Sequence, residues 1–203
     1  MFQPSYYSFY LVMWKEDDPN MVTDYIREYV KQECSKNTMA RELYENHIIL
    51  VSDFGAKLSK LLGADALVVE LASYLHDFSS IYQFDHHYDH TIPGVHKIDG
   101  LLRQFKFSDE TIARVLEVIA QYNKPNPVEG ASKEAVCLIN ADAMSQLSKP
   151  LFWLYFGYTV KNKSYNEGIT SYLKWMESRW KIMMEPAKEM MAKEYEHLKR
   201  FKR

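Results

Sequence analysis

The chain has 203 residues and a formal charge of -2 at neutral pH, with 47% hydrophobic and 26% charged side chains. This is enough to bury one sizeable core, and a single domain is the expectation at this length. Charges of both signs are mixed along the chain, with a pI near 6.4; that excludes the electrostatic footprint of a protein that wraps nucleic acid or lies on an anionic membrane, so neither is expected as a partner.

Residues Phe2 to Trp14 are aromatic and apolar, but they lack a positive n-region and a small-residue cleavage site and fall short of a membrane span. Lys15, Glu16, Asp17, Asp18, Pro19 and Asn20 then form a polar break. Residues 1–20 therefore read as an arm, packed on the domain or on a partner subunit, which leaves a homodimer open; residues 21–203 form the domain.

From there apolar residues recur at helical spacing. Val22, Ile26, Tyr29 and Val30 make a first run; Leu43, His47, Leu50, Val51, Phe54, Leu58, Leu61 and Leu62 make a longer one that Gly63 stops. Residues 65–77 are apolar nearly all round, as in a helix at the centre of a bundle. The stretch from Ser79 to His96 has no clear period and reads as a functional loop.

A helix is predicted over Val95 to Phe105. Ser108 is a good N-cap for the next, with Asp109 and Glu110 in its first turn and Ile112, Val115, Leu116 and Ile119 facing inward. Asn123 to Pro127 ends it. Residues 132–147 form another helix through Val136, Ile139, Ala143 and Leu147, stopped near Pro150, and two more occupy roughly 168–184 and 187–200. With only seven glycines and no regular turn spacing, the predicted class is all-α: a helical bundle with a core over 22–147 and helices appended over 150–203.

Cys34 and Cys137 have no paired spacing, so neither a disulfide framework nor a cysteine zinc site is expected, and a reducing, cytoplasmic setting fits. His47, His76, His86, His87, His90 and His96 lie within fifty residues, leaving only His197 beyond them. His76 and Asp77 end an apolar helix, where a bare carboxylate is costly unless a cation compensates it. Nitrogen and oxygen ligands without thiolates suit Mn, Fe, Ni, Co or Zn. His47, on an apolar face, and Asp142, within Leu138-Ile-Asn-Ala-Asp-Ala-Met144, are the candidates to complete the set. Taken singly, each also fits a buried polar residue satisfied by backbone or hydroxyl groups.

The ordered set His47, then His76-Asp77, then Asn140-Ala141-Asp142, with His90-Thr-Ile-Pro-Gly94-Val95 between them, resembles the HD-domain superfamily of metal-dependent phosphohydrolases over roughly residues 22–147. The resemblance implies one divalent ion on His47, His76, Asp77 and Asp142. It also implies hydrolysis of a phosphomonoester or phosphodiester, in a nucleotide or other small phosphorylated metabolite, by metal-activated water, with Asp77 and His90 as catalytic residues. His86, His87, Lys97, Gln121 and Lys124 are the candidate substrate contacts, with Arg103 as a further basic residue.

Two positions depart from the pattern. Ser80 and Tyr82 stand where many relatives carry an acid and a lysine, so substitutes are expected from the loop. Gln121, Tyr122 or Asn123 replace the histidine of two-metal members, which argues against a second ion. The alternative is a catalytically degenerate HD domain that binds a ligand or regulates, with a structural metal.

Overall fold

The computed structural model describes residues 19–82, 94–124 and 127–201, and every regular element among them is helical. The arm and the loop histidines His86, His87 and His90 lie outside the described residues. Helix α1 (Pro19–Ser35) leads into α2 (Thr38–Leu43), whose first turn is capped by the Asn37 side chain accepting from the amides of Met39 and Ala40. A π-helical turn, Tyr44–Ile48, joins α2 to α3 (Ile49–Leu62) without a break. Gly63 ends α3 at φ +60°, the left-handed conformation in which glycine carries no Cβ penalty.

Asp65 caps α4 (Ala66–Leu75), accepting from the amides of Leu67 and Val68, and His76 closes that helix. After α5 (Phe78–Tyr82) the description resumes at α6 (Gly94–Gln104), followed by α7 (Asp109–Tyr122) with the expected Ser108 cap. Ser132 caps α8 (Lys133–Ser148). The C-terminal region folds as α9 (Pro150–Thr159), α10 (Tyr165–Ile182) and α11 (Glu185–Lys199).

The all-α expectation holds. Sequence pattern missed α9, because Pro150 reads as a stop; at the first helical position proline instead starts a helix, its missing N–H being one that no helix could use there. Leu61, expected to face inward, is 52% exposed at the end of α3.

Helix α8 is the centre of the packing. It lies against α3 and α4 on one side and against α7, α10 and α11 on others, and every residue from Cys137 to Leu147 is buried. A helix buried all round has no solvent to satisfy its polar side chains, so each must find a partner in the fold. Asn140 Oδ1 accepts from the Met184 amide at 2.8 Å and tethers the start of α11; Tyr172 of α10 donates to the Gln146 carbonyl at 3.0 Å. Asp142 and Ser145 turn towards His47, and Gln146 donates to Asp142. Among the described residues no helix is long and apolar enough to cross a membrane.

Candidate metal centre

His47 sits in the π-helical turn, and its side chain is buried. The wider winding adds a residue to one turn, so the apolar face of α2 and that of α3 both meet the core while His47 is aimed at α8. There its Nδ1 lies 2.7 Å from Ser145 Oγ, and that hydroxyl also reaches the His47 carbonyl at 3.3 Å. A carbonyl only accepts, so the serine proton goes to it; Nδ1–H of His47 donates to the serine oxygen and Nε2 is left bare.

His76 is fixed by the same logic. Its Nδ1 is 2.8 Å from the Ser73 carbonyl, one turn back on α4, so it must be the protonated nitrogen and Nε2 again carries the lone pair. The two Nε2 atoms face each other across 3.3 Å. Asp142 Oδ1, on fully buried α8, lies 3.3 Å from Nε2 of His47 and 3.9 Å from that of His76; Asp77 Oδ2 lies 3.4 and 3.6 Å from the same two atoms. One ligand atom from each of His47, His76 and Asp142 falls within 4.8 Å of the others.

Two lone pairs and two carboxylates converging in a buried space repel one another unless something positive sits among them. A proton is the minimal solution. Burial opposes a charge on His47, but the Asp142 and Asp77 carboxylates outweigh it and raise its pKa to about 9. Burial likewise opposes ionisation of Asp77, yet His76 and His47 hold its pKa well below the usual carboxylate range. A divalent cation satisfies the His47, His76 and Asp142 atoms better, since it accepts their lone pairs at once, with Asp77 Oδ2 beside the two imidazoles as a further donor; the nitrogen–oxygen donor set fits Mn, Fe, Co, Ni or Zn.

Around this point the polar atoms are arranged for more than packing. Gln146 Nε2 donates to Asp142 Oδ1 at 2.7 Å and Ser80 Oγ to Asp77 Oδ1 at 3.3 Å, so both carboxylates are held from behind. The Trp153 ring meets His47 edge-on at 5.0 Å and Tyr122 meets His76 at 5.4 Å. Burial, with Asp142 and Asp77 nearby, pushes the Tyr122 phenol well above its usual pKa, so it stays neutral. A cleft of about 230 Å³ opens from Asp77 and is walled by Ser80, Tyr122, Gln146, Trp153, Lys161 and Arg179 among others. Among the described residues, the buried side-chain polar atoms without a hydrogen bond are Asp142 Oδ2, Gln146 Oε1, Trp153 Nε1 and Arg179 Nε, and all belong to this site.

The HD domain profile matches residues 44–147, a little over half of the chain, and that span runs from the π-helical turn through Asp142. The chain belongs to the HD-domain family. Over 90% of its length it is similar in fold to Bacillus subtilis YpgQ, at 16% identity, TM-score 0.66 and 92% of that chain covered. The crystal structure of YpgQ in complex with ADP aligns at 17% identity and TM-score 0.67, covering 90% of this chain and 92% of that one. An HD-superfamily hydrolase of Bacillus thuringiensis aligns at 18% identity and TM-score 0.66, covering 91% and 94%. Among curated proteins no sequence matches.

Within this HD domain His47, His76 and Asp142 come together as one group, and Asp77 Oδ2 lies 3.4 and 3.6 Å from the two imidazoles. The residues singled out for substrate do not, as far as they are described. Gln121 is engaged elsewhere, its Oε1 accepting from the Ser132 amide at 3.0 Å and its Nε2 donating to Glu117 at 3.2 Å, while its neighbour Tyr122 takes the place in the cleft. Lys124 is exposed beyond the end of α7, and Lys97 is half-buried on α6; neither lines the cleft. Arg103 pairs with Asp99 and Asp109 on the surface. The basic candidates of the sequence, Lys97, Arg103 and Lys124, thus lie away from the cleft, whereas the basic residues lining it among those described, Lys161 and Arg179, come from the appended C-terminal region. Arg179 and Trp153 were missed because no spacing rule connects them to Asp142. The one signal available was Pro150 opening an aromatic stretch, the mark of a helix docked on something.

Proposed function

We propose that this HD domain is a metal-dependent phosphohydrolase acting on a nucleotide or another small phosphorylated metabolite, with His47, His76, Asp77 and Asp142 holding one divalent ion. The observation that carries the reading is the pair of imidazole Nε2 atoms, 3.3 Å apart, facing two carboxylates, one of which, Asp77, lines an open cleft. When bound, such an ion supplies the positive charge that acidifies water and polarises a phosphoryl oxygen.

The chain's own residues divide the remaining work. Asp142 and His47 are sealed from solvent and fix the position; Asp77, 24% exposed, is the member that also faces the cleft. Its Oδ1 is oriented by Ser80, so Asp77 is placed both to ligate and to take a proton from attacking water. His90 is proposed as the acid that serves the leaving oxygen. The Trp153 and Tyr122 rings pack edge-on against His47 and His76, and that low-dielectric contact strengthens the charge interactions of the two imidazoles. The nucleotide class is supported by a fold neighbour that was crystallised with ADP.

The test is to strip the protein, reload it separately with Mn, Co, Ni, Fe or Zn, and measure metal content beside phosphate release from a panel of nucleotides and simple phosphate esters. Turnover with at least one ion, and loss of both metal and turnover in Asp77→Ala with a retained helical circular-dichroism spectrum, is the expected result. Ser80 and Tyr82, at positions where many relatives carry an acid and a lysine, favour a second reading: a ligand-binding or regulatory module with a structural metal. Tight metal with no turnover across the panel would select it.

A further inference from the structure

The cleft has two walls of different origin. Asp77, Tyr122 and Gln146 belong to the HD segment; Trp153, Lys161, Trp175 and Arg179 belong to α9, α10 and the turn between them. The Arg179 guanidinium is the best-placed group on the outer wall. It sits 5.8 Å from the centre of the Trp175 ring, within reach of a cation–π attraction. Its Nη2 is 3.8 Å from Asp142 Oδ2, close enough for attraction and too far for a hydrogen bond, and its buried Nε has no partner. A planar fork of donors held beside a carboxylate without bonding to it is poised for a different acceptor.

Charge narrows that acceptor. Asp77 and Asp142 balance a divalent ion, which leaves Arg179 and Lys161 uncompensated on the cleft wall. Lys161 Nζ lies 5.7 Å from the Phe156 ring and has no ion-pair partner among the described residues. The ligand that fits is an anion presenting two oxygens to the fork, and a phosphoryl group has that geometry.

We infer that Arg179 is a phosphate-binding residue of this cleft, supported by Lys161 on the same wall, so that the appended C-terminal helices supply anion recognition to the HD segment's centre. The ligand class rests on the phosphohydrolase reading; the binding role is separable from turnover.

The experiment titrates ADP, and adenosine as the control without phosphate, into the full-length metal-loaded protein by calorimetry, for the wild type, Arg179→Gln, Arg179→Lys and Lys161→Ala. Metal content is measured in each. Arg179→Gln should keep its metal and weaken ADP about ten- to hundredfold, the range of a lost charge-assisted bidentate contact, while adenosine behaves alike in both proteins. Arg179→Lys should recover only part, restoring the charge but not the fork. Lys161→Ala should weaken ADP a few-fold, with an effect that fades as salt is added.

Unchanged ADP affinity in a metal-bearing Arg179→Gln protein overturns the assignment. So does parallel loss of metal, which would make Arg179 a structural partner of Asp142, and so does a metal-loaded wild type that takes up no ADP. If Arg179→Gln loses its helical spectrum, Arg179→Lys decides in the same way. Arginine-dependent ADP binding without any turnover would refute hydrolysis and leave this inference standing.

Discussion

Ser145 shows how much of the candidate centre depends on side chains that never touch the ion position. Its hydroxyl fixes the His47 tautomer by accepting from Nδ1 and donating to the His47 carbonyl, a double role that alanine cannot fill. Ser145→Ala is therefore expected to weaken metal binding about ten- to hundredfold while leaving the fold intact, read by competition against a metal indicator. The protonation of His47 gives a second prediction. In metal-free protein its pKa is raised from 6.5 to about 9 by Asp142 and Asp77 against the cost of burial. A raised pKa means stability that is fully present below pH ~6.5 and lost as pH climbs through ~9, on the order of 1–3 kcal/mol. In chelator the melting temperature should fall across that window. Metal affinity should rise across the same window, because the ion displaces that proton. A flat melting profile in chelator would contradict the proton's role.

At the level of helices, the constraint is how closely α3 and α4 approach. Gly55 lies where they cross, and a Cβ there would stand 2.9 Å from Ser73 Oγ and 3.0 Å from Val69 Cγ1. Gly55→Ala must displace the Ser73 and Val69 side chains, and where α4 yields as a unit the Ser73 carbonyl that orients His76 moves with it. The expected cost is about 1–3 kcal/mol in urea unfolding, with a measurable drop in metal affinity; a loss of stability with unchanged affinity would show that α4 can yield without moving His76. The same elements show what could be read from the chain. Apolar periodicity located α3, α4, α7 and α8 and put His47 on an inward face, because those patterns record burial directly. It could not reveal the π-helical turn that aims His47, since a residue added to one turn leaves the run of apolar residues intact. Nor could it place α9, where Pro150 has opposite meanings on the two sides of a helix boundary, or pair Arg179 with Asp142, because charge proximity between distant segments leaves no local pattern.

For the molecule as a whole, the centre joins parts that are far apart in sequence: the π-helical turn, the end of α4 and the middle of α8. An ion bound to all of them favours the folded state alone, since in the unfolded chain the four ligands are not assembled. The gain follows mass action, about 4 kcal/mol when free metal is a thousandfold above its dissociation constant. For a chain of about this size each kcal/mol moves the melting temperature by about 2–4 °C. Saturating metal should thus raise it by about 8–16 °C over protein in chelator, measured by calorimetry at fixed pH. The shift should scale with the logarithm of free metal and vanish in Asp142→Asn, whose neutral amide no longer places a carboxylate charge at the core of α8. Metal that binds stoichiometrically yet leaves the melting temperature of the wild type unmoved would place the ion elsewhere, on a surface that forms in folded and unfolded chains alike.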